Sequence, residues 1–369
     1  MTPLRAVGLY PASGKRPGDG RSCTKPAVPL LGLKIIGVKM NKQKKRIAIT
    51  DTLPDFIENV LEFVSNQFDF ELTRETDADY VFHSVDGYEV LKYPGVRIFV
   101  TGENVTPNFA VSDYAMAFDK LTFGDRYIWL PLIKLYRDSY KSLVSPRPPV
   151  DVVLRQKTDF CAYVMSNTKD SAEERTRIFD LLSRYKQVNS GGRWRNNIGG
   201  PVADKLSFQS THKFVIAFEN SSSLGYLTEK FADAAASNAI PIYWGDPSIG
   251  KLFNPKAFIN CHDFVSLEDV VEEVKRVDQD AELYESMLTE QWFPNGIEPE
   301  ILRDETFITF LTNIFDQDKK TAYRRNRSRW GLKTERRLYD MCHRPHVQGF
   351  ILLRKLWRNI VRSFLPRRK

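Results

Sequence analysis

Cysteine is scarce in this chain of 369 residues, and the four present are scattered at Cys23, Cys161, Cys261 and Cys342. No Cys-x-x-Cys pair or cysteine–histidine spacing occurs. That excludes a structural zinc site and a disulfide scaffold, and it reads as buried or idle thiols in a reducing compartment. Long apolar runs are also missing. A helix that crosses a bilayer needs about 20 consecutive apolar residues. The best stretch near the N-terminus, Ala27 to Val38, is short and broken by Lys34, and it lacks a small-residue cleavage site. A cleft-facing pair of carboxylates for a metal is lacking too. Asp77-Ala78-Asp79 has the spacing, but it precedes a strand, the wrong end for a ligand, and reads as a turn. No internal repeat is evident.

Positive charge is plentiful but unevenly placed. The net charge is +8. Residues 1–39 hold seven Lys/Arg against one Asp, and residues 320–369 hold sixteen against Glu335 and Asp340. The stretch between them therefore carries −12. An acidic body with basic ends offers no basic stripe on a folded domain, so no nucleic-acid partner is expected. Residues 1–39 are rich in Gly, Pro and Lys/Arg without periodicity. Residues 1–45 are read as disordered, or as an extension upstream of a true start at Met40.

The remainder alternates short apolar runs with amphipathic stretches, the pattern of an α/β protein. In the first half, strands are expected at Arg46–Thr50, Phe68–Leu72, Tyr80–Ser84, Arg97–Thr101 and Tyr114–Phe118. A helix opens at Pro54, with Ile57, Val60, Leu61 and Val64 on one face. Ser145 to Asp151 reads as the connection between domains. The second half opens with Phe160–Met165 and a helix over Ala172–Lys186, and Val188 to Gly200 reads as a loop. Further on, Ser266-Leu267-Glu268-Asp269 resembles a capping box. A helix over Asp304–Phe315 closes the fold. The expected domains are 46–150, 151–320 and a basic tail, 321–369.

Phe214 to Phe264 is the most informative segment. An apolar strand, Phe214–Phe218, runs into Glu219-Asn220, then a Ser/Gly loop, then a helix carrying Glu229 and Lys230. A second strand, Ile240–Trp244, ends at Gly245-Asp246-Pro247. Polar groups thus gather at a strand's carboxyl end, where open α/β sheets bind ligands. Free N–H groups at the following helix start suit a phosphate-containing ligand. The segments FEN, GYLTEK, AIPIYWGDPS, NPKAFIN and HDF, in this order, closely resemble the alpha-1,3/4-fucosyltransferase family, above all its bacterial members. The resemblance extends to TGENVTPNF (Thr101–Phe109), SDYA (Ser112–Ala115) and Asp125-Arg126-Tyr127, and it covers about residues 46 to 320.

The resemblance implies two Rossmann-like domains facing across a cleft, the GT-B glycosyltransferase architecture. Acceptor sugar would sit in the first domain and GDP-fucose in the second. It implies inverting transfer of fucose to N-acetylglucosamine within a galactose-containing glycan of Lewis type. Glu103 follows an apolar run and Gly102; from position alone it reads rather as a solvated loop residue or a helix-cap partner, and the resemblance makes it the candidate base. Arg195, in a Gly-rich segment and followed by Asn196, is expected on the diphosphate. Lys230 is expected there too, with Glu229 on the donor ribose, Tyr226 lining the nucleotide site and Asn220 hydrogen-bonded to the donor. Glu219 either touches the fucose or braces its loop, and Ser166-Asn167 either meet the donor or form a turn. Phe109, Tyr127 and Trp129 either stack on acceptor sugar or pack in a core. Side-chain cations would replace a metal at the leaving group, so no cofactor is required, with stimulation by a divalent cation left open.

In the tail, Phe350, Leu353, Leu356, Trp357, Ile360, Val361 and Phe364 form an apolar helical stripe opposite Arg354, Lys355, Arg358 and Arg362. The stripe suits an anionic membrane surface, or docks on the protein's own body. Bacterial members carry similar tails, which implies a cytoplasmic enzyme peripheral on the inner face of the membrane. The alternatives are transfer of another nucleotide sugar, or a silent glycan- or membrane-binding protein.

Overall fold

The computed structural model describes residues 43–166 and 171–364. The readings of residues 1–42, and of Asn167, fall outside these. Two parallel sheets dominate. The first half runs β1 (Gln43–Thr50), α1 (Pro54–Leu61), β2 (Phe68–Leu72), β3 (Tyr80–His83), β4 (Val96–Val100), β5 (Tyr114–Ala117) and β6 (Tyr127–Trp129). Helices α2 (Arg137–Val144) and α3 (Val150–Gln156) lead to the second half. That half runs β7 (Asp159–Tyr163), α4 (Glu174–Ser183), β8 (Val188–Ser190), α5 (Lys205–Ser210), β9 (His212–Phe218), α6 (Glu229–Ala236), β10 (Ile240–Trp244) and β11 (Ile259–Asn260). Helices α7 (Leu267–Gln279), α8 (Ala281–Thr289), α9 (Asp304–Asp316), α10 (Lys319–Ala322), α11 (Arg329–His343) and α12 (Pro345–Phe364) complete it.

The first sheet has the order β2-β1-β3-β4-β5-β6 and the second β11-β10-β9-β7-β8, all pairs parallel. Strands β3, β4 and β5 are buried at every position, as expected for parallel strands covered by helices on both faces. Doubly wound sheets of this order reverse direction once. In the first sheet the reversal lies between β1 and β3, in the second between β7 and β9, and each opens a crevice at the strands' carboxyl ends. The capping box at Ser266 is formed as expected, its hydroxyl accepting from Asp269 N–H and the Asp269 carboxylate accepting from Ser266 N–H.

The halves are not separated as neatly as residues 46–150 and 151–320. One continuous apolar cluster joins Phe99, Ala117 and Trp129 of the first half to Val215, Ala217 and Phe231 of the second. Helix α9, read as part of the second domain, packs on the first sheet instead. Its Phe307, Phe310, Leu311, Ile314 and Phe315 fill the core beside Phe68, Tyr80 and Phe82. The span 321–369 is not a free tail throughout. Arg325 is buried and pairs with the buried carboxylate of Asp113, which also accepts from the N–H groups of Arg324 and Arg325. Arg97 pairs with Glu335 at 2.6 Å, and Leu338 of α11 packs on Val81, Val90 and Val111. Three donors from this stretch, beside the N–H of Arg97, on one buried carboxylate explain why the stretch leaves solvent despite its charge.

Candidate active site

At the first sheet's reversal lies a cavity of about 140 Å³. The loops after β1 (Thr52, Leu53), β3 (Ser84–Asp86) and β4 (Gly102, Glu103) form its polar rim, and Phe56, Leu135 and Tyr136 help wall it. Glu103 follows β4 in a turn fixed by Thr101, whose hydroxyl accepts from Glu103 N–H at 2.9 Å and donates to Glu103 O at 3.1 Å. The carboxylate opens to the cleft, yet the cleft walls desolvate it and push its pKa above the usual glutamate range. Lys230, from the second half, pulls it back, while Asp86 and Glu229 add to the rise. Glu103 and Lys230 therefore share one electrostatic field across the cleft.

On the donor side, Glu219 ends β9 and is fully buried. It accepts from Thr228 N–H (2.8 Å), the Thr228 hydroxyl (2.6 Å) and Lys230 Nζ (3.0 Å). Of the two readings left open for it, bracing of the loop is what these bonds build. Burial pushes its pKa up, and Lys230 and Thr228 oppose that. Lys230 also donates to Thr228 Oγ1 (3.0 Å) and Glu229 Oε1 (3.3 Å). Desolvation works against its charge, but Glu219 and Glu229 outweigh it and hold Lys230 charged. For Glu229, desolvation raises the pKa, and Lys230 and Lys205 override it, bringing it down to about 2. Lys230 thus stands at the start of α6 as a cation fixed by two carboxylates.

Two glycines make this packing possible. A Cβ on Gly225, which has φ +88°, would lie 2.0 Å from Phe118 O of the other half. A Cβ on Gly245 would lie 2.4 Å from Glu219 Cγ. The spacing of FEN, GYLTEK and WGD is therefore one packing unit centred on Glu219.

The remaining expected residues are placed as follows. Asn220 accepts from Arg175 Nη1 at 2.8 Å through its side-chain oxygen, which turns its NH₂ donors elsewhere. Tyr226, expected to line the nucleotide site, is 2% exposed and meets Phe118 edge-to-face at 4.7 Å. Its ring is a core residue between the halves, and burial holds its phenol neutral. Arg195 is not brought to Lys230. Its guanidinium pairs with Asp180 on α4 and lies over the Trp194 ring, on a backbone of φ +43°. Ser166 accepts from Arg193 N–H at 3.2 Å, which ties the end of β7 to the Gly-rich segment.

The aromatics Phe109, Tyr127 and Trp129 are core or scaffold rather than sugar platforms. Phe109 packs on Phe123, Tyr127 donates to Ala117 O at 2.9 Å, and Trp129 Nε1 donates to Gly225 O at 2.9 Å. The cavity's own aromatics, Phe56 and Tyr136, were not singled out in the sequence, since neither lies in one of the family-like segments. Asn104 was missed too. It donates to Ser221 Oγ at 2.8 Å and accepts from Ser223 Oγ at 3.0 Å, across the cleft. Its place in the Thr101–Phe109 motif was the available signal.

Two doubly wound sheets, with polar and charged groups gathered where their carboxyl ends face each other, define the GT-B class of glycosyltransferase architecture. Residues 46–136 match the alpha-(1,3)-fucosyltransferase FucT N-terminal domain, and residues 154–295 match the C-terminal part of glycosyltransferase family 10 (fucosyltransferase). The chain belongs to this fucosyltransferase family. It is 34% identical over 276 residues to alpha-(1,3)-fucosyltransferase FucT of Helicobacter pylori, which spans 65% of this chain and 57% of that one. It is 30% identical over 316 residues to a putative fucosyltransferase of Acanthamoeba polyphaga mimivirus, across 79% and 50%. The chain thus spans about half the length of these curated relatives. A crystal structure of an alpha1,3-fucosyltransferase with GDP-fucose superposes with a TM-score of 0.67 at 29% identity, covering 80% of this chain and 96% of the other.

Proposed function

We propose that this chain transfers L-fucose from GDP-fucose, with inversion, to a hydroxyl of N-acetylglucosamine in a galactose-containing glycan, making Lewis-type structures. The observation that carries the reading is the Glu103 carboxylate, held at a cavity mouth within the field of Lys230. The acceptor sugar occupies the cavity at the first sheet's reversal. Its hydroxyl oxygen attacks the anomeric carbon, Glu103 takes the hydroxyl proton, and the bond from that carbon to the diphosphate oxygen breaks. GDP leaves with the bonding electrons. Lys230, with its positive charge secured by Glu219 and Glu229, stabilises the negative charge on the departing diphosphate. Arg195 joins it only by exchanging Asp180 for phosphate oxygens.

The cation at the leaving group supports a reaction without a required metal. Turnover is expected to survive a chelator. The tail is proposed to hold the enzyme on the inner face of the cytoplasmic membrane, where GDP-fucose is at hand. The test is incubation with GDP-fucose and lactose, N-acetyllactosamine or its 1,3-linked isomer, reading GDP release and product mass together. A fucosylated product is expected. Glu103→Gln is expected to lower transfer by about 10²–10⁴-fold while GDP affinity holds, the usual size of a lost general base. Equal loss of donor affinity and turnover would remove Glu103 from the base role.

A further inference from the structure

The two halves meet at the reaction site through Asn104. It follows the candidate base directly and sits on the loop after β4. Its amide spends both of its functions on the opposite half. Nδ2 donates to Ser221 Oγ at 2.8 Å, and Oδ1 accepts from Ser223 Oγ at 3.0 Å. Ser221 and Ser223 are alternate residues of the loop that links β9 to α6. The serine between them turns the other way, its hydroxyl donating to Gly245 O at 2.7 Å. The loop is thus gripped from both sides, by Asn104 of the first half and by the end of β10 of the second. Behind it, Gly225 touches Phe118 and Trp129 of the first half, and Lys230 lies in the first turn of α6.

We infer that Asn104 is a positioning residue that ties the base-bearing loop to the donor-side loop, so that Glu103 and the leaving diphosphate are held in register. The inference rests on the fucosyl-transfer reading for its catalytic part and on the hydrogen bonds alone for its structural part. The physical argument is one of entropy. The loops come from different sheets and are far apart in sequence. Their relative placement sets the distance between base and anomeric carbon, and small misplacements cost large factors in rate. Exposed side-chain bonds between loops add little to global stability, so their use is local order. Glu103 is not hydrogen-bonded to the clasp, so losing Asn104 leaves the base chemically intact.

The test uses Asn104→Ala and the pair Ser221→Ala/Ser223→Ala in the full chain. Hydrogen exchange at Ser221–Gly225 in the ligand-free protein is expected to quicken by about tenfold in both, the size of two weak hydrogen bonds. Transfer kcat is expected to fall about 10–100-fold, with GDP affinity and the pH dependence unchanged. Hydrolysis of GDP-fucose is expected to gain on transfer. The combined triple variant should be no worse than either parent, because all three changes break the same clasp. Unchanged loop exchange overturns the clasp. Quickened exchange with unaltered kcat overturns its positioning role. Equal falls in kcat and GDP affinity also overturn it, by making Asn104 a donor ligand. A wild-type protein that forms no fucosyl product sinks the transfer reading instead, and the exchange result still decides the clasp.

Discussion

Lys230 and Glu103 act on each other from opposite halves, and that coupling has a sign that can be measured. Desolvation raises the Glu103 pKa, and the ammonium of Lys230 lowers it. A base must be ionised, so transfer is present above this pKa and lost as pH falls through it. The acid limb of kcat/KM is therefore expected above the ordinary glutamate range of about 4.3. Lys230→Gln removes the opposing charge, so the limb moves to still higher pH, besides weakening diphosphate binding. A limb that moves down, or stays put, would separate the two residues. The same carboxylate pair that secures Lys230 explains why its partners read so clearly in the sequence. Glu219, Thr228, Glu229 and Lys230 depend on one another within a single packing unit, so their order survives as a motif. Arg195 lies outside that unit, and Tyr226, though inside it, turns its ring to the other half. Arg195 is spent on Asp180 and Tyr226 on Phe118, contacts that no local pattern announces.

At the scale of elements, legibility followed length more than burial: β2 reads clearly although only its Phe68 is buried. Strands β2 and β10 and helix α9 stand within a residue of where apolar runs and periodicity place them, because each is long enough to carry its own period. Strands β6 and β8 have three residues each and were read as clustered aromatics and as loop. Helix α11 was missed because none of its residues is fully buried, and it is seated on the body by the Arg97–Glu335 pair together with only two partly buried apolar residues, Leu338 and Cys342. What periodicity does not carry is partnership: α9 reads as a helix but not as one that returns to the first sheet. Its last aromatic settles the matter. Phe315 is fully buried, with its ring centroid 4.9 Å from Tyr80, 5.3 Å from Phe68 and 5.4 Å from Phe70. Phe315→Ala is expected to cost about 3–5 kcal/mol in denaturant unfolding, as for other buried aromatics. A loss below about 1 kcal/mol, the scale of surface changes, would mean that α9 is peripheral to the first half.

For the whole molecule, the acidic body and basic C-terminal span meet at a boundary that falls inside the basic span. As far as α11, part of the positive charge is used internally: Arg324 pairs with Asp125, Arg325 satisfies Asp113, and Arg97 and Arg325 both face Glu335, while Arg327, Arg329, Lys333, Arg336 and Arg337 are exposed. Residues 345–369 hold seven Lys/Arg and no acid, and on α12 Phe350, Leu353, Leu356 and Trp357 are exposed. Among the described residues no helix is long and apolar enough to cross a membrane. Two truncations should therefore behave oppositely. Stopping after Arg344 keeps every buried ion pair, so stability and transfer to a soluble acceptor should hold. Binding to anionic vesicles should be lost, since about 1 kcal/mol per basic residue near the surface goes with the apolar stripe. Stopping before Tyr323 removes Arg325 and leaves the Asp113 carboxylate buried without its guanidinium. That should cost about 3–5 kcal/mol and weaken the first half itself. Vesicle binding that survives the first cut would place the membrane contact on the body rather than on α12. Stability that survives the second would mean that the Asp113 network is ornamental and that the span from Tyr323 onward is a tail after all.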